Sequence, residues 1–194
     1  MYRNSLSSLC AVSTLLVSLV LPPANAVATP TTLARAQRYS VKTPVSGIQA
    51  GGARIDIAAD ARLVSEIIQD FGNYPKLSDK FGKARVVGRN GADTDVYMQV
   101  PILKGAAKIW AVMRFTPIRG PNGDQILAGR MVKGNVRRLD AKWTIRAAGA
   151  GLSHVELELL IVPKLPVPGS LITSETAYAA DKAVTGVRDR AERR

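Results

Sequence analysis

The chain has 194 residues, 46% of them hydrophobic and 5% aromatic, with 27 Lys and Arg against 15 Asp and Glu and a formal net charge of +12. One cysteine and one histidine exclude a disulfide-stapled scaffold and argue against a transition-metal site built on His and Cys ligands. The length suits one domain able to bury its own core, and the charge fits either an anionic partner surface or a self-repelling soluble one.

Arg3 precedes an uncharged apolar run from Leu9 to Leu21, and Ala24-Asn25-Ala26 supplies the small-residue pattern of a signal-peptide cleavage site. The run is short for a membrane span, so residues 1–26 read as a cleaved signal peptide and the protein as exported, periplasmic or secreted. An uncleaved anchor is the alternative. Cys10 sits near the start of that run, after Leu9, which does not fit a lipidated cysteine. Cleavage removes Arg3 and leaves 26 basic against 15 acidic side chains, a net charge of about +11. Nucleic acid is not an expected partner for an exported protein, and no basic stripe interleaved with aromatics supports it.

Residues 27–50, rich in Ala, Thr, Pro and Gly, read as a flexible approach to a domain spanning 51–194, with one short edge strand suggested at Tyr39–Val45. Ala53 to Ile57 alternates as a first strand. Asp60 is placed to cap a helix over Ala61–Phe71, where Leu63, Val64, Ile67, Ile68 and Phe71 recur at helical spacing. Gly72-Asn73 stops that helix, and Pro75 predicts an extended Tyr74. Tyr74 reads as a packing aromatic at the helix end, with a gate residue as the alternative.

From Arg85 the period is two. Strands are predicted at Arg85–Arg89, Asp95–Ile102, Lys108–Thr116, Gln125–Val132, Arg138–Arg146 and Ser153–Val162, separated by turns such as Asn90-Gly91-Ala92-Asp93 and Gly120-Pro121-Asn122-Gly123. Clean alternation leaves one face wet and one that must be covered. The connector Pro163 to Gly169 excludes helix through Pro168, and Ser170 is a plausible N-cap for a long terminal helix. Its apolar side, Ile172, Thr176, Ala179, Ala180, Ala183 and Val187, is thin. Such a stripe either approaches a neighbour very closely or leaves space beside it. The whole reads as α+β, an antiparallel sheet of about seven strands with its helices on one side.

The Asp70-Phe71-Gly72-Asn73-Tyr74-Pro75 turn, the Arg138-Leu139-Asp140-Ala141-Lys142-Trp143 strand, the Pro-x-Leu-Pro connector at Pro163–Pro166 and the closing Val187-Arg188-Asp189-Arg190-Ala191 come in an order that resembles the START-like superfamily, also called polyketide cyclase/dehydrase and lipid transport or SRPBCC proteins. The resemblance covers roughly Gly51 to Arg194. It implies a helix-grip fold, a curved sheet wrapped around a long C-terminal helix with an apolar cavity between them. It also implies a ligand among lipids, sterols, quinones, hormones or polyketides, with catalysis by cyclisation or dehydration in a minority of members; the ligand expected for this chain is a lipid, isoprenoid or sterol-like compound.

On the residues alone, the inward face is either plain core or cavity wall; the resemblance favours the cavity. The candidate ligand-binding residues are then Met98, Ile109, Met113, Leu127, Met131, Trp143, Leu157, Ile172, Ala179, Ala180 and Ala183. Three methionines on one face would adapt to ligands of varied shape, and the alanines would keep space free. Arg114, Arg130, Gln99 or Tyr178 could orient a ligand, although Tyr178 projects away from the alanine stripe. No catalytic residue is assigned. His154 shares the wet face with Glu156 and Glu158, Asp93 and Asp95 read as turn residues, and no nucleophile elbow, phosphate loop or dinucleotide fingerprint is present. The expectation is a carrier or binding protein without cofactor or metal, touching anionic membrane surfaces peripherally. A cyclase, dehydratase or hydrolase using the same cavity is the alternative, and an adhesive surface protein acting through its basic face is a third reading.

Overall fold

The computed structural model describes residues 35–44, 47–102, 105, 107–164 and 166–193, so the expected signal peptide lies outside the described residues. The strands are β1 (Gln37–Val41), β2 (Ala50–Ile57), β3 (Lys83–Asn90), β4 (Asp93–Ile102), β5 (Ala107–Arg119), β6 (Gln125–Gly134), β7 (Arg138–Gly149) and β8 (Leu152–Val162). They form one antiparallel sheet in the order β1-β2-β8-β7-β6-β5-β4-β3. Among the described residues there are thus eight strands where about seven were expected. β1 falls within segment 27–50, two residues before the suggested edge strand, and pairs with β2.

From β3 to β8 the chain is a meander of tight turns, and Gly91, Gly123 and Gly151 adopt positive φ at three of them. Register shifts in β3, β6 and β7 mark bulges that bend the sheet. The chain crosses from β2 to β3 through α1 (Ala61–Gln69), a 3₁₀ turn (Phe71–Asn73) and α2 (Tyr74–Leu77). Asp60 stands at the N-cap of α1 without a side-chain cap bond, and its carboxylate instead accepts from the Gly151 amide at 3.3 Å. Tyr74 is helical, φ −53° and ψ −40°, and not extended. Burial of its ring against Phe71 and Phe81 outweighs the local preference that Pro75 imposes, and a proline in the first turn of a helix removes no hydrogen bond.

The terminal helix α3 (Gly169–Ala191) starts one residue before the expected cap, with Pro168 at the N-cap position. The Pro168 carbonyl accepts from Leu171 and Ile172, so the connector itself ends in helical geometry. Along α3 the buried side changes character. Thr176 and Ala177 lie directly on Gly51 of β2, where a Cβ would strike the Ala177 amide and the Thr176 hydroxyl. Ala180, Ala183, Val184 and Val187 then join Ile57, Val64, Ile68, Trp143 and Val155 in a fully buried core. Gly186 leaves room for the Leu77 carbonyl of α2. Among the described residues no helix is long and apolar enough to cross a membrane.

The opposite sheet face is a ladder of cross-strand ion pairs, among them Arg114–Asp95 at 2.8 Å and Arg146 with both Asp124 and Glu156 at 2.9 and 3.0 Å. His154 lies there too, its ring nitrogens 2.7 Å from Asp56 and 3.2 Å from Glu156. Pairs this exposed contribute little to stability; they account for where many of the cations go.

Candidate functional site

The β4–β5 and β6–β7 hairpins, the start of β3 and the end of β8 all lie at one end of the sheet. At that end the space between the sheet and α3 is open, and a cavity of about 600 Å³ fills it. Alternation builds its wall. Val100 pairs with Ile109 and Met98 with Ala111 across β4 and β5, while Trp143 pairs with Leu157 and Ala141 with Leu159 across β7 and β8, and all of these side chains face inward. Ile172, Thr176 and Ala179 of α3 cover them, with Pro163 and Val167 of the connector at the rim.

Trp143, Tyr74 and Phe115 form the floor that divides the cavity from the solid core. The Trp143 indole N–H donates to the Tyr74 hydroxyl, which in turn donates to the Ile68 carbonyl at 2.6 Å. Burial pushes the Tyr74 hydroxyl far above its ordinary value, so it stays a neutral donor. With its ring 1% exposed, Tyr74 is a packing anchor whose face also meets the cavity. Phe71 stacks on Phe115 at 4.7 Å beneath it. Inside the cavity the Thr176 hydroxyl returns to the Ile172 and Thr173 carbonyls of its own helix, 3.0 Å each, so the interior presents little unmet polarity. Charge is confined to the rim, where Asp79, Lys80, Lys108, Lys164 and Glu175 stand.

Of the candidate ligand-binding residues, Met98, Ile109, Met113, Trp143, Leu157, Ile172 and Ala179 line this cavity. Leu127 faces the other end and lines a separate space of about 220 Å³ beside Ser65, Ile68 and Ile145. Met131 pairs with Met113 beyond the β6 bulge at Val132 and packs on the margin of the core. Ala180 and Ala183 are 0% exposed and sit within the core. The helix stripe therefore does both things its composition allows: it leaves space at Ala179 and makes close contact from Ala180 onward.

Arg114 is held by both Asp95 oxygens at 2.8 Å on the far face, where its hydrogen bonds keep that carboxyl below the usual range. Arg130 is exposed opposite Asp140, and Gln99 pairs with Trp110; none of them lines the cavity. Tyr178 does line it, contrary to its projected direction, because the cavity extends around the flank of α3. Asn135 and Val136, in the β6–β7 turn, were not anticipated. Asn135 ties the turn down by accepting from the Trp110 amide and donating to the Lys108 carbonyl, 2.9 and 2.8 Å, which sets Val136 into the cavity. An Asn after Lys133-Gly134 signals a turn but not the direction of the residue behind it. Among the described residues no group of His, Cys, Asp and Glu could hold a metal ion.

No family model and no curated protein matches the chain. Solved structures do. A STAR-related lipid transfer protein from Xanthomonas axonopodis superposes with TM-score 0.70 at 14% identity, covering 83% of this chain and 98% of that one. A START superfamily protein from Mycobacterium smegmatis gives 0.63 at 16% identity, covering 73% and 96%. The Zhui aromatase/cyclase from Streptomyces sp. R1128 gives 0.64 at 14%, covering 82% and 96%. Eight antiparallel strands curled around one long C-terminal helix, with the cavity between them, give this chain the START-like helix-grip fold.

Proposed function

We propose that the protein is an exported carrier or binding protein for a hydrophobic small molecule, a lipid, isoprenoid or sterol-like compound, held between the sheet and the first half of α3. The observation that carries this reading is the cavity itself. It is a space of about 600 Å³ in which water would need polar partners that walls of Met, Leu, Ile and Trp do not offer. An apolar ligand satisfies them, with each buried methylene contributing about 0.8 kcal/mol. The lipid-transfer and aromatase/cyclase names of the structural neighbours support the same use of the fold.

An enzyme in this cavity would need a converging acid and base. Arg114, Arg130, Tyr97 and Asp140 are not in the cavity wall, and the charged groups that do line it stand at its rim, so the carrier reading is the simpler one. The signal-like segment 1–26 supports export, and the basic balance supports peripheral contact with anionic membranes. Extraction of organics from the purified protein, followed by mass spectrometry, tests the function: an apolar molecule in stoichiometric amount is expected. Protein that carries none and takes up no neutral apolar fluorophore refutes it. The intact mass of the protein, purified from cells that express the full chain, reads export, since cleavage after Ala26 leaves Val27 as the first residue.

A further inference from the structure

At the rim, the Tyr178 ring is surrounded by cations from three parts of the chain. The Arg38 guanidinium of β1 lies 4.8 Å from the ring centre, the Lys80 ammonium from the loop after α2 at 5.0 Å, and the Lys182 ammonium of α3 at 5.5 Å. The ring face attracts each of them, but they repel one another, and the Asp181 carboxylate beside them is already engaged. Asp181 is bound by Arg38 at 2.6 Å and accepts from Thr185 as well. Asp79 and Glu175 share the rim, yet among the described residues neither comes within ion-pair distance of Lys80 or Lys182. The Tyr178 hydroxyl makes no hydrogen bond to any described residue. Tyr178 and Lys80 both line the cavity, so unspent positive charge and a free donor stand at the opening of an apolar chamber.

We infer that the ligand is an amphiphile with an anionic head, a carboxylate or a phosphate, received by Lys80, Lys182 and the Tyr178 hydroxyl while its apolar body lies against Met98, Met113 and Trp143. The inference rests on the carrier reading above and gives the chemical class of its ligand. A neutral head would leave the two ammonium groups and the phenol unused, and a cationic head would face three like charges. An anion accepts charge-assisted hydrogen bonds from both lysines and relieves their repulsion.

The test is displacement of the neutral fluorophore N-phenyl-1-naphthylamine from the purified protein by hexadecanoate, hexadecyl phosphate, hexadecanol and hexadecylamine, each below its micellar concentration. At least one of the two anions is expected to bind ten-fold or more tighter than the alcohol, and the amine weakest; which anion leads identifies the head. Lys80→Gln with Lys182→Gln is expected to bring the anions to the level of the alcohol, so that the ratio of anion to alcohol affinity falls ten-fold or more. Equal binding of anions and alcohol overturns the anionic head and leaves the cavity reading standing. So does a variant that weakens all four amphiphiles alike. Failure of the fluorophore to bind at all overturns the carrier reading and this inference with it.

Discussion

Two adjacent alanines of α3 provide the sharpest test of where the molecule is hollow. Ala179 lines the cavity, whereas Ala180 is 0% exposed within the core. In Ala179→Trp the indole enters open space and gains its own apolar burial, so the melting temperature stays level or rises. The ligand loses that space. If the indole displaces about four methylenes of a bound chain, at about 0.8 kcal/mol each, affinity falls by about 3 kcal/mol, roughly 200-fold. In Ala180→Trp the same ring meets a filled core. Overpacking by a few methylenes already costs about 1–3 kcal/mol, and a whole indole more, which corresponds to a drop of roughly 10 °C or failure to fold. Titration with a neutral apolar fluorophore and thermal unfolding of both variants read the two effects separately. Native affinity in folded Ala179→Trp, or a native melting temperature in Ala180→Trp, would refute the assignment of space and core along this helix.

Tyr74→Phe removes the hydroxyl that links the Trp143 indole to the Ile68 carbonyl; the stranded buried groups should cost about 1–3 kcal/mol, a fall of several degrees in thermal unfolding, and an unchanged midpoint would count against the link. Gly51→Val should be more damaging than its position near the start of a strand suggests, since any Cβ there strikes the α3 backbone; circular dichroism is expected to show loss of cooperative unfolding or a midpoint at least 1 kcal/mol lower. Burial alone would raise the Glu156 carboxyl, but Arg146 and then His154 outweigh it and hold it below its ordinary value. The sign follows: this pair's contribution is present above the unfolded carboxylate range and is lost as pH falls through the depressed value. Denaturant midpoints from pH 7 to pH 3 should fall less steeply for Arg146→Gln than for the parent, and parallel curves would contradict the coupling.

The strands were legible because a half-buried antiparallel sheet imposes a period of two, and from Val96 to Ile161 the inward residues follow it. The site was legible only in part, and α3 shows why. Ala179 and Ala180 are the same residue type on neighbouring positions of one apolar arc, and nothing in the chain says where the sheet beside them recedes. That depends on the position of Gly51 opposite Ala177 and of Trp143 and Tyr74 at the floor, which are long-range facts. Tyr178 was assigned outward by helical projection, but a cavity wrapping the flank of a helix reaches residues beyond its central stripe. Tyr74 failed in the opposite way: the local rule for a residue before proline was sound, and burial of the ring overrode it.

The division of the domain also explains how it can afford an open chamber at all. Apolar burial is concentrated at one end, where α1 and the second half of α3 close on Ile57, Val64, Ile68, Val155, Val184 and Val187, each 2% exposed or less. Hydrophobic stabilisation follows the area buried, so the packed end can hold the sheet curved around α3 while the other end stays hollow. The hydrogen-bonded floor of Trp143 and Tyr74 keeps the ends distinct, because a ligand pressing on it meets a chain of satisfied polar atoms anchored on α1 instead of a deformable aliphatic wall. Occupancy of the chamber should therefore raise the stability of the domain without being required for its folding. The linkage is quantitative: a ligand present at 100 times its Kd adds about 2.7 kcal/mol, and the ligand-free protein keeps the same sheet and the same unfolding cooperativity.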